Sequence, residues 1–82
     1  MVLVEIEVPV LEKRYDFKLN VEEKVGDLMK EILHIICQRE HCVLQEKTHP
    51  FLLGDLERHI LFHPEHRLED YGVETGSRLV LL

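Results

Sequence analysis

Leu68-Glu69-Asp70-Tyr71-Gly72-Val73-Glu74-Thr75-Gly76-Ser77-Arg78-Leu79-Val80-Leu81-Leu82 is the stretch that decides how this chain folds. Leu68 to Tyr71 reads as one helical turn. Gly72 stops it, Val73 is a lone apolar residue, and Gly76 sets a second reversal before Arg78 to Leu82 alternates as a strand. Both glycines stand where the backbone must reverse at positive φ, a region in which a Cβ is penalised. Val73, Leu79 and Leu81 are then core residues, and Leu68 plugs one end of a sheet. The Tyr71 ring is expected to be buried, with its hydroxyl bonded to a backbone group in the preceding loop.

The chain upstream supplies what that strand needs. Val2, Val4, Ile6 and Val8 alternate with Leu3, Glu5 and Glu7, the period of a half-buried strand. Pro9 to Glu12 makes a turn, and Tyr15, Phe17 and Leu19 then point inward while Arg14, Asp16 and Lys18 point outward. The short connection makes the two runs an antiparallel hairpin. After Asn20 the period lengthens. Val25, Leu28, Ile32, Ile35 and Ile36 share one side of a helical wheel, with Cys42 near its edge, and a helix is expected over about 25–40. Its start is poorly capped, because Lys24 stands where Ser, Thr or Asp would serve, and Asp27 compensates through the helix dipole. Gln45 to Pro50 reads as a loop. Phe51-Leu52-Leu53 reads as a short strand stopped by Gly54-Asp55, and His59 to Phe62 as another, ended by His63-Pro64.

Size and charge narrow the functions open to the chain. Its 82 residues make one domain, residues 1–82, with room for a single core. A net charge of −6 disfavours nucleic acid or an anionic membrane surface as the main partner, because phosphate contacts need clustered Lys and Arg. There is no apolar run of roughly 20 residues for insertion into a bilayer and no signal-peptide pattern, so the cytoplasm is the expected location. Cys37 and Cys42 are too few for a disulfide scaffold. If one helix carries both, their Cα atoms are about 8 Å apart, outside bridging geometry.

Strand, strand, helix, short strands and a closing strand describe an α+β fold in which a mixed sheet of four to five strands packs on one helix. With Leu68-x-Asp70-Tyr71-Gly72-Val73-x-x-Gly76-Ser77-x-Leu79-x-Leu81, this order resembles the β-grasp fold of ubiquitin-like proteins over nearly the whole chain. A narrower resemblance rests on Tyr15-Asp16-Phe17-Lys18-Leu19, on Leu53-Gly54-Asp55 with Ile60-Leu61 after it, and on the closing segment. It is to the YukD/EsaB family, small ubiquitin-like bacterial proteins encoded with type VII (ESX-type) secretion systems. That resemblance implies a cytoplasmic accessory or regulator of secretion that works through non-covalent protein contacts with secretion-machine components. The other class kept open is a small β-grasp subunit docked on an enzyme complex such as an oxygenase.

Covalent chemistry finds little support. Conjugation or sulfur transfer needs a flexible Gly-Gly arm; the sequence has no Gly-Gly and reads Leu81-Leu82 at its end, so neither is expected. His34, Cys37 and His41 share the outer helix face at i, i+3 and i+7, a spacing at which neighbours reach one ion, but a solvated face is the simpler reading. His59, His63 and His66 surround a loop and make no better metal set. Cys37 has a His four residues away, yet no orienting third group accompanies it. No enzymatic activity, cofactor or metal is expected.

An exposed apolar patch is the better functional candidate. If the helix covers one sheet face, the alternating residues of the other must show. Leu3, Val80 and Leu82 are apolar at outward positions, Val10 and Leu11 sit in the first turn, and one of Leu52 and Leu53 must face outward. Leu3, Val10, Leu11, Leu52, Val80 and Leu82 are therefore the expected partner surface, for another protein or for a second copy of this chain. Ubiquitin-like domains commonly bind partners through the corresponding face, so the resemblance implies the same place. Met29 and Leu33, on the helix flank, form a second candidate.

Overall fold

The computed structural model describes residues 1–41 and 51–82. Strand β1 (Val2–Val8) pairs antiparallel with β2 (Lys13–Leu19) in unbroken register from Val2 opposite Leu19 to Val8 opposite Lys13. A 3-10 turn, Pro9–Leu11, joins them and ends on Glu12 at φ 54°, which turns the chain back. Helix α1 (Val25–Glu40) follows, then β3 (Leu53–Asp55), β4 (Ile60–Leu61), a second 3-10 turn (Leu68–Tyr71) and β5 (Arg78–Leu81). The five strands form one sheet in the order β2-β1-β5-β3-β4. β1 and β5 run parallel, and the other pairs are antiparallel.

Side-chain period explains the burial. Val4, Ile6 and Val8 of β1, Tyr15, Phe17 and Leu19 of β2, and Leu79 and Leu81 of β5 face α1 and are buried. From the helix come Val25, Leu28, Ile32 and Ile36, spaced at three and four residues so that they make one stripe. Leu53, Phe62, Leu68 and Val73 complete the core. Val2, also expected inward, lies half-buried at its margin.

Two expectations need correction. Ile35 is 43% exposed rather than a core residue. On the wheel it falls roughly 20° beyond Leu28, which is the edge of the buried stripe. The strand at Leu53 is not stopped by Gly54-Asp55; it runs through both, and Gly54 pairs with Val80 on one side and Leu61 on the other. The expected loop from Gln45 to Pro50 and the placement of Cys42 lie outside the described residues.

The closing segment folds as its sequence implies except at Tyr71, whose ring was expected to be buried. Gly72 has φ 69° and Gly76 has φ 97°, Leu68 is fully buried, and Tyr71 is half-buried. The Tyr71 hydroxyl accepts the His63 N–H at 2.9 Å, the backbone partner its position required. The weakly capped helix start is also explained. Lys24 is the N-cap and makes no side-chain cap bond, but the Val25 N–H donates to the His66 carbonyl at 2.8 Å and the Gly26 N–H to the Pro64 carbonyl at 2.9 Å. Two main-chain oxygens from a distant loop satisfy donors that a Ser or Asp side chain usually serves.

Candidate docking surface

The sheet face turned away from α1 can be read row by row from the strand registers, since residues directly opposite point to the same side. Leu82 stands opposite Leu52, and the pair exchanges backbone hydrogen bonds of 2.8 and 2.9 Å. In the next row Arg14, Glu7, Val80, Gly54 and Leu61 lie side by side. Beyond them come Asp16, Glu5 and Arg78, and at the far end Lys18 and Leu3.

The six expected surface residues therefore do not form one patch. Val80, Leu52 and Leu82 come together, with Val80 and Leu52 half-buried and Leu82 48% exposed. Of Leu52 and Leu53, the outward one is Leu52. Val10, 70% exposed, sits in the first 3-10 turn at the same end of the sheet as Leu82. Leu11 is corrected: it turns back and packs against the core, because the 3-10 turn rotates it away from Val10. Leu3 is exposed but stands about 13 Å along β1 from Glu7, across the charged Glu5–Arg78 row. Met29 and Leu33 pack against the core margin.

Leu61 belongs to the patch and was missed. It is 55% exposed, and its Cδ2 lies 3.1 Å from the position a Cβ would take at Gly54. The missing side chain leaves room that the leucine's Cδ2 occupies, in the same cross-strand row as Val80. The available signal was Gly54 itself, a glycine inside a strand, which marks a place where a neighbour approaches closely. The result is a strip of Leu61, Val80, Leu52 and Leu82 with only Gly54 between.

The charge around this strip is mostly engaged. Arg14 Nε stands 3.5 Å from Glu7 and 3.8 Å from Glu5, and Arg78 reaches Glu5 at 4.0 Å. Such exposed pairs contribute about 0–1 kcal/mol each. Their effect is to keep the acidic rim of the strip close to neutral.

The other candidate groups stay apart. His34 and Cys37 lie on the exposed and half-buried sides of α1, and His41 is its C-cap at φ 53°. Among the described residues, no three His, Cys, Asp or Glu side chains stand close enough to hold a metal ion. A hollow of about 220 Å³ lies between Arg58 and Arg78 and is bordered by buried Asp55. Asp55 Oδ1 accepts the N–H groups of Glu57 and Arg58 at 2.9 and 3.1 Å, so the carboxylate shapes the β3–β4 turn. No described helix is long and apolar enough to cross a membrane.

Superposition on solved structures decides the fold. The ubiquitin-like domain of EccD5 from Mycobacterium xenopi superposes with a TM-score of 0.77 at 15% identity, over 99% of this chain and 91% of that one. The fold is ubiquitin-like. A ubiquitin-like domain of the Mycobacterium tuberculosis type VII secretion protein EccD1 gives 0.71 at 12% identity, covering 100% of this chain and 99% of that one. A ubiquitin-like domain from Arabidopsis thaliana gives 0.67 at 21% identity, over 99% and 74%. No protein-family model and no curated protein matches the sequence. On this ubiquitin-like scaffold the Leu52–Leu61–Val80–Leu82 strip occupies the sheet face opposite the helix.

Proposed function

We propose that this chain is a non-covalent protein-interaction module that docks partners on the Leu52–Leu61–Val80–Leu82 strip, and that it serves bacterial type VII secretion as a cytoplasmic accessory. The observation that carries the first part is the strip itself: four aliphatic side chains brought together on the uncovered sheet face, a feature typical of contact surfaces. Support for the second part is the kinship in shape with two type VII secretion domains, together with the sequence resemblance to the YukD/EsaB family. The chain acts as an adaptor and carries out no catalysis of its own.

Affinity capture from the source organism tests both parts. The wild-type chain should recover a secretion ATPase or membrane component, and Val80→Asp should lose it with an unchanged circular dichroism spectrum. Val80→Arg is a second variant of opposite charge, at the register position beside Glu7, and should lose the partner as well. Equal recovery by all three chains would remove the strip from the proposal. Recovery of an oxygenase without secretion components would replace the secretion role with docking on an enzyme complex.

A further inference from the structure

The loop that caps α1 is shaped by imidazoles. His63 Nδ1 accepts the Glu65 N–H at 3.1 Å, an i to i+2 bond of the kind an Asn side chain makes in an Asx-turn. The His63 N–H donates to the Tyr71 hydroxyl, and that oxygen meets His66 Nδ1 at 2.8 Å. The hydroxyl can donate its own proton to a neutral His66 ring or accept one from it. The two imidazole centroids are 4.8 Å apart. The loop they hold presents the Pro64 and His66 carbonyls to the first N–H groups of α1.

We propose that residues 63–66 form a pH-sensitive clasp on the start of α1, closed by the neutral His63 ring and opened by its protonation. A proton on His63 Nδ1 sets an N–H against the Glu65 N–H, and a bond becomes a repulsion. A proton on His66 Nδ1 only turns its contact round, because the Tyr71 oxygen has a second lone pair to accept it, so His63 carries the switch. The change belongs to the range in which imidazoles gain charge, about pH 5–8.

The remaining charges near the loop do not restore the lost acceptor. Asp70 Oδ2 is engaged by the Arg67 N–H at 2.8 Å, and the Arg67 guanidinium donates to the Glu22 carbonyl. Arg58 bonds the carbonyls of Tyr71 and Gly72 and adds further positive charge. Asp27 belongs to the first turn of α1, where it faces the dipole. Glu65 is paired with Lys24 at 3.0 Å, and its carboxyl is held below the usual range by that lysine, with a smaller contribution from His63. It eases the charge on His63 and leaves the clash between two N–H groups in place.

Amide hydrogen exchange on the intact chain at pH 7.5 and 5.5, expressed as protection factors, reads the clasp directly. Protection of the Val25 and Gly26 amides should fall roughly three- to tenfold on acidification, the factor expected for loss of a net hydrogen bond. His63→Asn keeps an i to i+2 acceptor that does not titrate, so its protection should stay level. An equal fall in both chains, or no fall in the wild type, overturns the proposal. Should His63→Asn fail to fold, the wild type still decides. Loss of protection must follow the titration of the His63 ring carbon resonances, and a different midpoint also overturns it.

Discussion

The Tyr15 hydroxyl in β2 donates to the Glu40 carboxylate at the end of α1 at 2.9 Å, and Lys13 pairs with the other oxygen of the same group. One carboxylate thus fastens the last helical turn to the outer strand of the sheet. The bond from Lys13, then that from Tyr15, holds the Glu40 carboxyl below its ordinary value of 4.5. A group with a depressed folded value stabilises the fold above its unfolded pKa and loses that contribution as pH falls through the folded one. Glu40→Gln should therefore melt lower than wild type at pH 7, and the difference should close below about pH 4.5. Melting curves of both chains from pH 7 to 3 check this.

Gly26→Ala runs against helix propensity. An alanine in a helix normally gains about 0.5–1 kcal/mol over glycine. Here the new Cβ would stand 3.3 Å from the Pro64 carbonyl oxygen, the acceptor of the Gly26 N–H. Moving that oxygen loosens the cap, so the substitution should destabilise by roughly 1 kcal/mol in urea denaturation.

Gly54→Ala should cost more, about 2–3 kcal/mol, because its Cβ would meet the Ile60 carbonyl at 2.6 Å, a backbone atom held by strand pairing. It would also displace Leu61 from the strip. Calorimetry gives the first effect, and loss of partner capture by protein that remains folded gives the second.

Tyr71→Phe leaves the ring against Phe62, at 4.6 Å between centroids, and removes only the hydroxyl. The His63 N–H and His66 Nδ1 both lose their partner. A cost of about 1–2 kcal/mol is expected, with faster exchange of the His63 amide as the local sign.

Ile35→Ser and Ile32→Ala separate the helix faces. Ile35 is exposed and should tolerate serine within about 0.5 kcal/mol. Ile32 is fully buried, and its truncation should cost about 2–5 kcal/mol. Denaturant titration of the two variants distinguishes a four-residue stripe from a five-residue one.

Periodicity made most of the architecture legible. Alternation gave β1, β2 and β5, the helical period gave α1 over 25–40, and two glycines with Tyr71 gave the closing turn. Ile35 escaped because a wheel reports which residues share a side and not where on that side burial stops. The strip was half legible. Outward parity located Val80 and Leu82, but only cross-strand register could separate Leu3 from them or join Leu61 to them. The cap of α1 was invisible because Pro64 and His66 act through carbonyls, which every residue has. No side-chain pattern announces such a contact.

The place of β5 between β1 and β3 also orders events during synthesis. The β1–β2 hairpin and α1 leave the ribosome first, and β3 with β4 follow. These pieces remain two unjoined halves until Arg78–Leu81 emerges to pair with both. The nascent chain therefore waits, with Ile6 and Leu53 lacking the neighbour that will cover them, for a long-range pairing that arrives last.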